Sequence, residues 1–285
     1  MFSNTMSGTA ERPFWFDYIF GRVVDYDSTI WRRLINDKEP VLFIGESQTR
    51  SLPIALGIMR GSFEGVYAST YAKPVDQHVP SREDVIGIQK ERIKKNDSEI
   101  ERRGMSRVIT KTVVVESLAS FERHLDQCCL DPFDQLFSLQ ADGTKLDNFF
   151  LSHPSISTRN IVWQCPWVHP RQRPLISAIL LDFIKSASSR QQAGDALFIG
   201  VTTHRPYYVQ YQLDGVFSQA EQCGYTRLTM DTKFIRAAIE HGYEHRTVFE
   251  AKGRGSHIEL MDKMEMYGFV KESPGNLYGE SFWPY

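Results

Sequence analysis

The stretch VLFIGESQTRSLPIALGIM, residues 41–59, decides how this chain is read. Val41 to Ile44 are four consecutive apolar residues, the pattern of a strand buried on both faces. Gly45 follows, and a residue without Cβ allows a sharp turn there. Ser47 and Thr49 are residue types that cap helices, and Leu52, Leu56 and Met59 recur beyond them at helical spacing. A buried strand, a tight turn and a helix N-terminus gather free backbone N–H groups, which suits an anionic ligand group. An ordinary strand–helix turn without a ligand has the same pattern. Gly45 is the only glycine in the turn, so the G-x-G-x-x-G dinucleotide fingerprint is absent.

Outward from this stretch, strands and helices alternate. GVYASTY (65–71), VITKTVVV (108–115), NIVWQ (160–164), ALFIGVTT (196–203) and TRLTM (226–230) read as strands. Residues 82–103 carry mixed charge over a sparse stripe of Ile86, Ile93 and Ile100, a solvated amphipathic helix. Residues 118–130, 175–187 and 214–223 read as helices, whereas 131–158 look irregular, with Pro132, Gly143 and Pro154. Such alternation predicts an α/β fold with a mostly parallel, doubly wound sheet, which binds ligands at the carboxyl ends of its strands. The division expected is an N-terminal aromatic and helical extension (1–38), a core domain (39–250) and a C-terminal extension (251–285). FWFDYIF, 14–20, makes the first extension a candidate lid, or else a cluster packed on the sheet edge.

The chain has 285 residues, 41% of them hydrophobic, enough for a sizeable core, and a formal net charge of −2. That balance argues against nucleic acid as the main partner. Cys128, Cys129, Cys165 and Cys223 show neither zinc-site spacing nor a pairing pattern, so free thiols in a reducing, cytoplasmic setting are expected, and no metal. No apolar run reaches the ~18 residues of a membrane span, and the first residues lack the basic and apolar regions of a signal peptide.

Several segments, in order over residues 41–248, resemble the Rossmann-like family that includes the eukaryotic large-subunit rRNA uridine-N3 methyltransferases. They are VLFIGESQTRSLPIAL, YASTYA, NIVWQCPWV, LLDFIKSA with GDALFIGVTTHRPY, and GYEHRT (242–247). The chain also departs from the family. Ser47 replaces the second glycine of the first turn, and Ala72 replaces an acid. Gln164, Cys165, Pro166 and Trp167 stand where the family has Asn-Phe-Pro-His. The resemblance implies a class I methyltransferase-like Rossmann fold and S-adenosylmethionine as cofactor.

On that basis Gly45, Glu46 and Ser47 are expected to hold the methionine end, with Glu46 accepting a hydrogen bond from the amino group or ribose. Thr70, Glu116, Pro166 and Trp167 complete the expected cofactor contacts, Glu116 meeting the adenine amine. Gln164, Tyr71 and His204 are the candidate catalytic groups, with His169 and His245 as further candidate bases. Arg205 and Arg246 are candidate anion grips, and Tyr207 and Tyr208 candidate hydroxyl donors or stacking surfaces. Trp163 and Gln164 must point to opposite faces of their strand, which suits Trp163 to the core. Cys165 has no evident partner base and reads as a small buried hydrophobe.

The expected function is S-adenosylmethionine-dependent methyl transfer to a small molecule, with nucleic acid an unlikely partner and no membrane. The alternatives are closure of the cofactor's aminobutyryl arm to azetidine-2-carboxylate with release of methylthioadenosine, RNA uridine methylation, and a degenerate domain that binds a partner.

Overall fold

The computed structural model describes residues 30–46, 50–71, 134–166, 175–203, 207–228, 233–245 and 263–272, with isolated helical positions between 83 and 123. Its centre is a seven-stranded sheet. The strands are β1 (Val41–Ile44), β2 (Val66–Thr70), β3 (Leu139–Gln140), β4 (Asn160–Gln164), β5 (Ala196–Thr202), β6 (Tyr225–Arg227) and β7 (Met264–Lys271). Across the sheet they run β3-β2-β1-β4-β5-β7-β6. β1 to β5 pair in parallel, and β7 runs antiparallel between β5 and β6. Strand order reverses between β1 and β4, the place where such sheets bind ligands.

Alternation along each strand divides the core into two layers. Val41 and Phe43 face α1 (Ser51–Arg60), while Leu42 and Ile44 face the opposite side. That side is covered by α2 (Leu146–Ser152), α3 (Ile176–Ser188) and, beyond the short α4 (Tyr207–Tyr211), α5 (Leu213–Gln222). Every residue of β1 and β5 is buried, which explains why both read as unbroken apolar runs. α6 (Lys233–Glu240), in the connection from β6 to β7, packs against α1. Ile30 and Leu34 join the same layer, and Arg60 ties their segment down by donating to the carbonyls of Leu34, Glu39 and Glu64. Arg33, Glu39, Arg159 and Asp195 form an ion-pair cluster at the amino edge of the sheet, away from the strand ends that matter below.

Two expectations change. The strand beside β2 is Leu139–Gln140, within a segment read as irregular; the stretch expected as third strand, 108–115, lies outside the described residues. The seventh strand, Met264–Lys271, falls in the segment set apart as a C-terminal extension, so the sheet continues past residue 250. The described positions of 82–103 are helical. The candidate lid at 14–20 lies outside the described residues, and among them no helix is long and apolar enough to cross a membrane.

Candidate functional site

The carboxyl edge of the sheet carries the candidate site. At the end of β1, Gly45 has φ +66°, a left-handed conformation that favours glycine. A Cβ there would lie 2.9 Å from Nε1 of Trp163, and one on Gly143 would lie 2.9 Å from the same indole. Trp163 therefore wedges between the turns after β1 and β3, and packs edge-on against Phe183 at 4.8 Å. It lies in the core layer of α3, whereas Gln164 turns to the other layer.

Glu46 donates its backbone N–H to the Ser69 carbonyl at 2.9 Å and is 7% exposed. No hydrogen bond reaches its carboxyl group among the described residues. Burial pushes that carboxyl up to about 8, against the opposing pull of the Arg50 charge. Arg50 is itself committed elsewhere. Its Nε donates to the Leu136 carbonyl at 2.9 Å, and its guanidinium sits 5.5 Å from the Phe137 ring centre. Burial lowers its pKa to about 10, so it remains a cation.

A buried polar cluster lies beside Glu46. Gln164 Nε2 is 3.5 Å from Cys165 Sγ and 3.4 Å from Met264 Sδ, and its Oε1 finds no partner among the described residues. A Cβ on Gly200 would come within 1.8 Å of that Oε1, so this amide needs glycine on the neighbouring strand. The connection between β6 and β7 closes the cluster. Tyr243, fully buried, brings its hydroxyl to 3.1 Å from His245 Nδ1, and the Glu244 backbone both accepts from and donates to Ser51 Oγ, at 2.8 and 3.2 Å. Burial, the nearby charge of Glu46 and the Gln164 contact leave the Cys165 thiol at about 12. Alkylation of native protein at pH 8 is therefore expected to leave Cys165 unmodified and to label it only after denaturation, as peptide mapping would read.

Beyond β2 and β3 the edge opens into a cleft of about 560 Å³, lined by Tyr71, Gln140, Asp142, Lys145, Phe149 and His153 among others. Tyr71 is 70% exposed there, and its carbonyl accepts from Gln140 Nε2 at 3.0 Å. Asp142 Oδ1 accepts from the backbone and hydroxyl of Thr144 at 3.0 and 2.7 Å. His153 stacks on Phe149 at 4.7 Å and holds its Nδ1 against the Phe149 carbonyl at 3.0 Å.

The candidate residues therefore separate. Gly45, Glu46, Gln164 and Pro166 meet at the ends of β1 and β4, where Pro166 is buried. Thr70 is buried at the end of β2, and Tyr71 opens into the cleft. Ser47, Glu116, Trp167, His204, His169, Arg205 and Arg246 lie outside the described residues, as does the side chain of Tyr207; Tyr208 is partly exposed on α4. Reading the sequence missed Asp142 and Tyr243. Asp142 follows the third strand position, where Glu116 was expected, and the only local signal for it was the Asp142-Gly143 turn. Among the described residues, no group of three His, Cys, Asp or Glu side chains is placed to hold a metal ion.

The strand order, the antiparallel β7 and the turn at the switch point define an α/β fold of the class I methyltransferase-like Rossmann type. No protein-family model matches the sequence, and no curated protein matches it. Among solved structures, the chain is similar to a fibrillarin pre-rRNA processing protein of Methanococcus jannaschii, with 12% identity, 82% of this chain and 67% of the other covered, and a TM-score of 0.37. It is also similar to a mutant 16S rRNA (adenine(1408)-N(1))-methyltransferase with cosubstrate SAM from Catenulisporales acidiphilia, with 10% identity, 88% and 93% covered, and a TM-score of 0.38. A third is the rRNA methyltransferase aviRa of Streptomyces viridochromogenes, with 11% identity, 86% and 82% covered, and a TM-score of 0.34. At these scores the fold class rests on the strand order, not on the likeness. The expectation that nucleic acid is an unlikely partner is withdrawn: it rested on net charge alone, and proteins described as rRNA methyltransferases are among the similar structures. A net charge sums over every face of a chain and leaves the sign of any one face open.

Proposed function

We propose that the protein is an S-adenosylmethionine-dependent methyltransferase. One observation carries this reading: a turn holding a buried carboxyl group, at the switch point of the sheet, lies on the same edge as an open cleft with a stacked aromatic wall. Glu46 suits a cationic centre, because a buried acid is stabilised as its anion by an adjacent positive charge. The outer face of His153, backed by the buried Phe149, suits a nucleobase, and Tyr71, Gln140 and Asp142 suit its polar edges and the ribose. Glu46, Tyr71, Gln140 and Asp142 are thus the residues that would hold the cofactor. When bound, it supplies a methyl group already activated on a cationic sulfur. What remains for the chain is to hold an acceptor in line and to exclude water.

Calorimetric titration with S-adenosylhomocysteine tests the reading, and saturable one-to-one binding is expected. Incubation with methyl-labelled S-adenosylmethionine is then run against total RNA and against a low-molecular-weight extract. Label in a product of either arm supports methyl transfer and names the acceptor class. Methylthioadenosine formed without a methylated product, or no binding of S-adenosylhomocysteine, overturns it.

A further inference from the structure

Glu46 is one residue past the left-handed Gly45, and more than nine-tenths of it is buried. Its carboxyl group receives no hydrogen bond among the described residues, and neither does the Gln164 Oε1 beside it, whereas the Phe43 carbonyl on the same edge accepts from Ser69 Oγ at 3.1 Å. A buried carboxylate without hydrogen bonds or a paired cation is strongly disfavoured. We propose that Glu46 is the charge-matching group of the site: its carboxyl gives up its proton when a cationic centre of the ligand docks against it, so that binding is coupled to proton release. This rests on the reading of the site as one for S-adenosylmethionine.

Among the described residues, three titratable groups act on Glu46. Arg50, from the same turn, acts on it through charge alone while its guanidinium serves the carbonyls of Leu136 and Phe137. Cys165 comes from the end of β4 and Tyr243 from the β6–β7 connection, and burial keeps both protonated. Neither brings positive charge, so among the described residues the Arg50 charge alone opposes burial, and a ligand cation would add to it. The O–H bond of the carboxyl breaks, the proton passes to the buffer, and the carboxylate pairs with the ligand cation. In the free protein the group titrates near 8, so at pH 7 most molecules hold the proton to be released. Two centres of the ligand offer this chemistry, the α-ammonium and the sulfonium.

Calorimetry at pH 7 in phosphate and in Tris, buffers of different ionisation enthalpy, reads the proton count directly. Wild-type protein is expected to release close to one proton per ligand bound, as linkage requires. S-Adenosylhomocysteine carries the ammonium alone and S-adenosylmethionine carries both cations, so release with both assigns the ammonium and release with the second alone assigns the sulfonium. In Glu46→Gln, binding is expected to weaken about tenfold or more and to lose this component, which separates Glu46 from the ligand's own titration. The wild-type comparison between buffers stands even if that variant folds poorly. Binding without proton release, or release that persists in Glu46→Gln, overturns the inference and leaves the proposed function intact. Failure of both ligands to bind the wild type overturns the two together.

Discussion

Gly57→Ala is expected to destabilise the protein, although helix propensity alone argues the reverse. Gly57 lies in the middle of α1, where alanine gains about 1 kcal/mol over glycine in an exposed helix. Here the helix is buried. A Cβ at this position would sit 2.2 Å from Cε1 and 2.5 Å from Cδ1 of Phe63, a ring that is itself buried in the core layer of α1. At that separation something must shift, Phe63 is itself buried, and overpacking of a core costs about 1–3 kcal/mol. The clash outweighs the propensity gain. The expected result is a loss of about 2 kcal/mol, read as a fall of about 5 °C in Tm for a domain of this size. Adding Phe63→Leu to Gly57→Ala is expected to recover part of that loss. If Gly57→Ala alone melts at or above the wild-type temperature, the close approach of α1 to Phe63 is refuted.

Glu46→Gln is expected to change the pH dependence of stability, and the sign follows from burial. The folded carboxyl is raised to about 8, while the unfolded chain titrates at its ordinary value near 4.5. Between these values the folded state binds the extra proton. Stability contributed by the protonated group is thus fully present below the lower value and is lost as pH rises through the window to the upper one. The slope is about 1.4 kcal/mol per pH unit, so the ligand-free wild type loses a few kcal/mol across the window from this group alone. Glu46→Gln removes that loss. The two proteins should be close in stability near pH 5, and the variant should be the more stable above pH 8. Urea unfolding at a series of pH values measures the difference. A difference that stays flat, or that favours the wild type as pH rises, would show that Glu46 is not the buried neutral acid described here.

The turn after β1 was legible because its signals are local. Four apolar residues, a glycine and a helical repeat sit within one short stretch, and each acts through its immediate neighbours. The opposite faces of Trp163 and Gln164 followed from strand alternation in the same way. β3 was not legible. It is two residues long, Leu139 alone supplies apolar character, and it is a strand because Ser69 and Thr70 of β2 offer it an edge. β7 carried a readable hint, since Met264 and Met266 alternate with Glu265, but its insertion between β5 and β6 is a pairing between distant parts of the chain.

By itself the sequence determined the alternation of strands and helices, the buried character of β1, β4 and β5, and the glycine at the carboxyl end of β1. Each of these depends on chain geometry over a few residues. Only the tertiary structure decided that Glu46 is buried beside Arg50, Cys165 and Tyr243, and that Tyr71, Asp142 and His153 share one cleft. Glu46 and Cys165, like Tyr71 and Asp142, lie scores of residues apart along the chain. Burial and electrostatics act through space, so the chemistry of the site came into being only when the folded sheet brought its strand ends together.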